Sequence, residues 1–138
     1  YVQAAQAYDE ALKSVVDDKV VEGYMRYDLA WALFESGEKE KAFNEYEKVA
    51  GLPVSKDVAV NALCMAAEIC FVGRDYEKAV VFYDAVLRKY PDTYLADYIQ
   101  YQIGCTLRKL NRIDPAILAF RSVLMNFPDS PRLNLLYA

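Results

Sequence analysis

One apolar triad occurs four times along the 138-residue chain, at a nearly constant interval. Each copy reads Ala, an aromatic four residues later, then Ala or Val three after that. The copies are Ala4-Tyr8-Ala11, Ala42-Tyr46-Val49, Ala79-Tyr83-Val86 and Ala116-Phe120-Val123, with first residues 38, 37 and 37 apart. Two further sets keep the same phase: Ala30, Ala67 and Gly104 lie twelve before the corresponding Ala, and Leu33, Cys70 and Leu107 lie nine before. A fixed period near 37 is the mark of a stacked repeat architecture, in which each unit buries its apolar faces against its neighbours.

Offsets of 0, 4 and 7 fall on one face of an α-helix. Between the small residue of the earlier set and the Ala of the triad sit breaks: Gly37, Gly73 and Asn111. Gly and Asn tolerate the left-handed conformation that closes a helix. Asp114-Pro115 reads as an N-cap followed by proline at the first helical position. Each unit is therefore a helix A, a short turn and a helix B. Pro91 in Tyr90-Pro91-Asp92-Thr93 and Pro128 in Phe127-Pro128-Asp129-Ser130 stop the B helices, and Thr93 and Ser130 can cap the next helix. Pro53 does the same one residue out of register. Small residues at Ala30, Ala67 and Gly104 let helix A approach helix B at Ala42, Ala79 and Ala116, and the aromatic after each fills the remaining space. The resulting expectation is an all-α, right-handed superhelix. Its helices run near 1–16, 18–36, 39–51, 55–72, 75–90, 93–110 and 114–127, with the start of an eighth at 131–138. The chain thus divides into a truncated repeat (helix B, 1–16), repeats at 18–53, 55–91 and 92–128, and the start of another at 130–138.

With the motifs on the page, the chain resembles the tetratricopeptide repeats, whose pattern is a small residue in helix A, Ala and an aromatic in helix B, and a closing Pro. Ala67, Ala79, Tyr83, Val86 and Pro91 match it, as do Gly104, Ala116, Phe120, Val123 and Pro128. The usual period is about 34 residues. The three additional ones, Tyr94-Leu95-Ala96 in one unit, are expected to lengthen helix A by almost a turn. Together with the YPDT and FPDS segments, this longer period is similar to repeats of bacterial cell-envelope proteins, those of the periplasmic Tol–Pal coordinator and the outer-membrane-assembly lipoprotein. That resemblance implies a periplasmic or envelope-associated setting.

It also implies that A helices line a concave groove. In register, the groove-facing residues are Tyr24, Tyr27, Asp28, Trp31 and Phe34 from the first A helix. Asn61, Cys64, Met65 and Glu68 come from the second, and Tyr98, Tyr101, Gln102, Cys105 and Arg108 from the third. Exposed Tyr and Trp are common anchors of protein recognition, because they bury large area at small entropic cost. Tyr27 and Tyr101, three before the small residue, read first as packing residues of the repeat, whereas Trp31, Tyr24 and Tyr98 fit burial against a neighbouring A helix and exposure equally. The Lys/Asn/Arg clamp by which some eukaryotic chaperone-binding members hold a C-terminal carboxylate is missing; Tyr27, Trp31, Cys64, Glu68, Tyr101 and Cys105 stand at the equivalent places.

Composition narrows the function. A net charge of −4 argues against binding to nucleic acid phosphates. The charge is uneven, with eleven acids and six bases in residues 1–50 against nine and ten thereafter. The chain has no histidine, and its three cysteines, Cys64, Cys70 and Cys105, form no CxxC pair, so no metal site or cofactor is expected. No nucleophile, Walker or dinucleotide signature occurs, and Asp17-Asp18 and Glu38/Glu40 read as capping acids. No apolar run is long enough to cross a membrane. The chain opens and closes inside helical patterns, as a piece of a longer array does. Two functions fit these features. One is a non-catalytic scaffold that holds a protein or peptide in its groove. The other is a structural solenoid segment that self-associates through its truncated ends.

Overall fold

The computed structural model describes residues 1–14 and 18–133. Among them are seven helices and no strand: α1 (Val2–Ser14), α2 (Lys19–Glu35), α3 (Lys39–Ala50), α4 (Lys56–Val72), α5 (Tyr76–Lys89), α6 (Ala96–Lys109) and α7 (Ile113–Asn126). The all-α expectation and the order of A and B helices hold. Residues 15–17 and the anticipated eighth helix beyond 133 lie outside the described residues.

The chain divides into two compact units, Tyr1–Ile69 and Cys70–Ala138. In the first, α2 packs on both α1 and α3; in the second, α6 packs on both α5 and α7. The repeat positions form the core. Ala30, Ala42, Ala67, Ala79, Val49, Val86 and Val123 are fully buried, and so are the Tyr46 and Tyr83 side chains. Each such valine contributes about 1.5–3 kcal/mol by leaving water; Val60 and Ile99, outside the in-phase sets, are equally buried, while the first triad, Ala4, Tyr8 and Ala11, is only half-buried.

The three A-to-B turns share one hydrogen-bonding scheme. The N–H groups of Glu38, Asp75 and Arg112 donate to the carbonyls of Leu33, Cys70 and Leu107, at 2.9, 2.8 and 2.9 Å. These carbonyls belong to the third in-phase set of the sequence. The turn requires a left-handed residue, found at Gly37 (φ 90°), Arg74 (φ 63°) and Asn111 (φ 60°). Residue preference alone points to Gly73 for the second of these. The structure puts it one residue later, because the turn keeps the 37-residue spacing, and an arginine therefore carries the strained conformation.

Helix starts also depart from expectation in two places. Helix α7 begins at Ile113 with Arg112 as its cap residue, so Asp114-Pro115 lies inside its first turn. There the proline has no intrahelical N–H bond to lose, and Asp114 faces the positive end of the helix dipole. Tyr94-Leu95-Ala96 does not lengthen α6, which starts only at Ala96. The buried Thr93 instead folds those residues into a turn, its carbonyl accepting from Ala96 N at 3.0 Å and its hydroxyl from Leu95 N at 3.4 Å. Three other helices have side-chain caps, Asp18 accepting from Val20 and Val21, Ser55 from Val58, and Asp75 from Lys78, whereas Glu38 before α3 makes none.

The repeat register sets Gly104 against Ala116. The closest neighbour of Gly104 is instead the Phe120 ring, which a Cβ on residue 104 would meet at 2.5 Å. The absent side chain makes room for the aromatic one turn further along α7.

Candidate interaction surface

The predicted groove residues separate into three kinds. Tyr27 and Tyr101 belong to the packing of their own helix pairs. The Tyr27 ring meets Tyr46 edge-on at 5.6 Å, and the Tyr101 ring lies 5.8 Å from Phe120. Tyr101 also keeps its proton more tightly than a free phenol, through a hydrogen bond with Cys105 and through burial. Phe34, Asn61, Met65, Glu68 and Gln102 are half-buried, and Arg108 is exposed.

A second kind holds the chain after the B helices α3 and α7. Tyr24 and Tyr98 are two periods apart. The Tyr24 hydroxyl accepts from Ser55 N at 3.4 Å, and the Arg132 guanidinium lies 5.0 Å from the centre of the Tyr98 ring. Their preceding residues do similar work by different chemistry. Gly23 is bare, so the connector after α3 can lie on α2; a Cβ there would stand 2.3 Å from Val54 Cγ1. Asp97 instead reaches out: its carboxylate accepts from Ser130 Oγ at 2.6 Å and from Arg132 Nη1 at 2.8 Å. Burial alone would raise the Asp97 pKa. The Ser130 hydroxyl, the Tyr98 backbone N–H and the Arg132 charge outweigh it and hold the group below the usual aspartate value.

The third kind is open surface. Trp31 is 46% exposed and Tyr24 41%, although the Trp31 ring is braced edge-on by Tyr1 at 5.1 Å. Tyr24, Asp28, Trp31 and Glu35 follow one another at helical spacing, within about 60° of arc on α2. Val20 and Val21, also exposed, extend the strip by one turn toward the helix start. Sequence reasoning missed Val20, Val21 and Glu35, yet the same i, i+3, i+4 rule locates them once Trp31 is known to face outward. Cys64 and Cys105, placed in the groove by register, are buried. Burial, with the Glu68 charge adding to it, pushes the Cys64 thiol up to about 12, which leaves it a packing group with no nucleophilic character at neutral pH.

The charges beneath this face are mutually satisfied. Arg26 bridges the pair, with Nε 2.9 Å from Glu22 and Nη1 2.8 Å from Glu45. Lys19 and Arg26 hydrogen bonds hold the Glu22 carboxyl below its usual pKa. A cleft of about 420 Å³ opens on the opposite side of α2, between α1 and α3, and includes Val2, Ala5, Leu29, Leu33 and Asn44. Its charged rim is paired too, Lys41 with Glu38 and Lys48 with Glu45.

Among the described residues, no group of three or more His, Cys, Asp or Glu side chains is placed to hold a metal ion, and no helix is long and apolar enough to cross a membrane. A family model described as tetratricopeptide repeat matches residues 1–53, and a second with the same description matches residues 62–93 and 98–130. No curated protein matches the chain.

Proposed function

We propose that this chain, which belongs to the tetratricopeptide repeat family, works as a non-catalytic scaffold that binds a partner peptide or domain along the faces of its A helices. Repeats of this family generally mediate protein–protein interaction. The observation that carries the reading for this chain is the outward face of α2. An exposed tryptophan and tyrosine, continued by two exposed valines, is more apolar surface than a solvated helix needs. Aromatic anchors of this kind supply most of the energy of protein recognition. A place in a bacterial envelope complex is supported only by the period of 37 and the YPDT and FPDS segments.

The test replaces Trp31 with Ala. Because the side chain is nearly half exposed, helicity and melting should stay close to wild type, while partner binding weakens by about 2 kcal/mol or more. A core role for Trp31 would instead lower folding stability by about 3–5 kcal/mol. A collapsed melting temperature with retained binding would remove the scaffold reading of this face.

Self-assembly within a longer solenoid is the second reading. It is favoured by α7, where Leu118 is 63% and Met125 79% exposed and Ile117 lies beside them. Sedimentation equilibrium of the wild type against Leu118→Lys/Met125→Lys tests it: a concentration-dependent oligomer lost in the variant supports self-assembly, and a monomer at all concentrations opposes it.

A further inference from the structure

The outward face of α2 has a charge character as well as an apolar one. Six exposed residues, Val20, Val21, Tyr24, Asp28, Trp31 and Glu35, occupy about 100° of the helix. Two are carboxylates, four are apolar or aromatic, and none is a base. Glu22, elsewhere on the same helix, is ion-paired, whereas Asp28 and Glu35 have no ion-pair partner among the described residues. They stand one helical step before and after the tryptophan. The outer face of α3 shows what an ordinary solvated face looks like in this chain: Lys39, Glu40, Lys41, Asn44, Glu47 and Lys48, with both signs interspersed and nothing apolar exposed.

The surroundings reinforce the sign. Glu35 and Glu68 both act on the buried Tyr46 hydroxyl, and their negative charge adds to burial in raising its pKa. The unit Tyr1–Ile69 carries thirteen acids against seven bases, while the remainder of the chain carries seven against nine. A negatively charged unit draws cations toward it, and an indole ring is the best aromatic acceptor of a cation over its face.

We propose that the α2 face docks a basic peptide segment, one in which Lys or Arg side chains alternate with apolar ones. The cationic groups lie over Trp31 and Tyr24 and pair with Asp28 and Glu35, and the apolar ones cover Val20 and Val21. This rests on the reading of the chain as a protein-binding scaffold and adds the chemistry of its partner. An acidic tail is disfavoured by the same carboxylates, since like charges brought together on a binding surface repel.

The experiment is selection of a random dodecapeptide phage library on the whole 138-residue chain, followed by affinity measurement on the enriched peptides. Emission from Trp31, the only tryptophan, reports binding in the variants that keep it, and titration calorimetry measures Trp31→Ala. Lys and Arg should be enriched over Asp and Glu. Enriched peptides should bind Asp28→Lys/Glu35→Lys and Trp31→Ala about tenfold more weakly than wild type. They should bind Glu40→Lys/Glu47→Lys nearly as well, because that variant changes net charge equally but on α3. All substituted positions are exposed, and matching thermal melts confirm intact folding. Enrichment of acidic or purely apolar peptides that still depend on Trp31 would overturn the basic partner and leave the scaffold reading standing. Peptides indifferent to Trp31, Asp28 and Glu35 would overturn both. A wild-type dimer that the Asp28→Lys/Glu35→Lys variant dissolves would show that a second copy occupies the face, and would also overturn the proposal.

Discussion

Replacing Gly104 with Ala sets two effects of similar size against each other. Alanine in a helix interior is favoured over glycine by about 1 kcal/mol, so an open site would be stabilised. Here the new methyl would stand 2.5, 2.7 and 2.9 Å from Cε1, Cδ1 and Cζ of Phe120. Carbon atoms rest about 3.5–4.0 Å apart, so the ring must retreat by about 1 Å. Tyr101, 5.8 Å away, restricts that movement on one side. Overpacking of this kind costs about 1–3 kcal/mol. The expected net result is a destabilisation of about 1 kcal/mol, and a melting temperature lower by about 4 °C. Urea denaturation of Gly104→Ala, Phe120→Leu and the double variant measures it. With the ring gone, Gly104→Ala should stabilise by about 1 kcal/mol, giving a coupling of about 2 kcal/mol. The other two repeats carry Ala with Tyr in this register, which supplies the alternative: a Phe120 ring free to adopt another pose. Gly104→Ala more stable than wild type, with Phe120 in place, would refute the reasoning.

Arg74→Gly should stabilise the chain by about 0.5–1 kcal/mol, since it relieves a left-handed non-glycine residue while adding freedom to the unfolded chain; a lower denaturation midpoint would contradict the φ of 63°. Asp97 has a folded pKa below its unfolded one, so its contribution is complete above about pH 4 and disappears as pH falls through the depressed value. Asp97→Asn should therefore be less stable than wild type at pH 7, and the gap should narrow as pH falls below about 4, as read by denaturant midpoints along a pH series.

The fold was legible because one signal was written four times over. Ala42, Tyr46 and Val49 form an ordinary helical face taken alone; in phase with Ala79, Tyr83 and Val86 they fix helix order, turn position and core together. The misreadings share a cause: local propensity competes with the period, and the period wins. Gly73 is the better left-handed residue, yet the spacing from Gly37 to Asn111 puts that conformation on Arg74. Pro115 advertises a helix start, and the turn geometry shared with Glu38 and Asp75 overrules it. Tyr94 and Leu95 resemble helix, and Thr93 turns them away. The surface was less legible. Register identifies which residues leave the core, but Tyr24 and Tyr98 leave it to meet Ser55 and Arg132, contacts that lie 31 and 34 positions along the chain and have no sequence pattern of their own. Trp31 and Tyr24 look alike in one dimension and are similarly exposed; what differs is contact, the Trp31 ring meeting Tyr1 and the Tyr24 hydroxyl accepting from Ser55 N.

The holds on the connectors after α3 and α7 have a consequence for how such a chain can change over generations. Tyr24 and Ser55 are 31 residues apart, and Asp97 is 33 from Ser130 and 35 from Arg132. All three distances are shorter than one period of 37. A duplication or loss of a whole period therefore moves latch and catch together, and the joint between successive repeats survives without any compensating substitution elsewhere. Length becomes an inherited variable that can drift by whole cassettes, while Gly23 and Asp97 show that one such joint uses a bare surface where another uses a charged one.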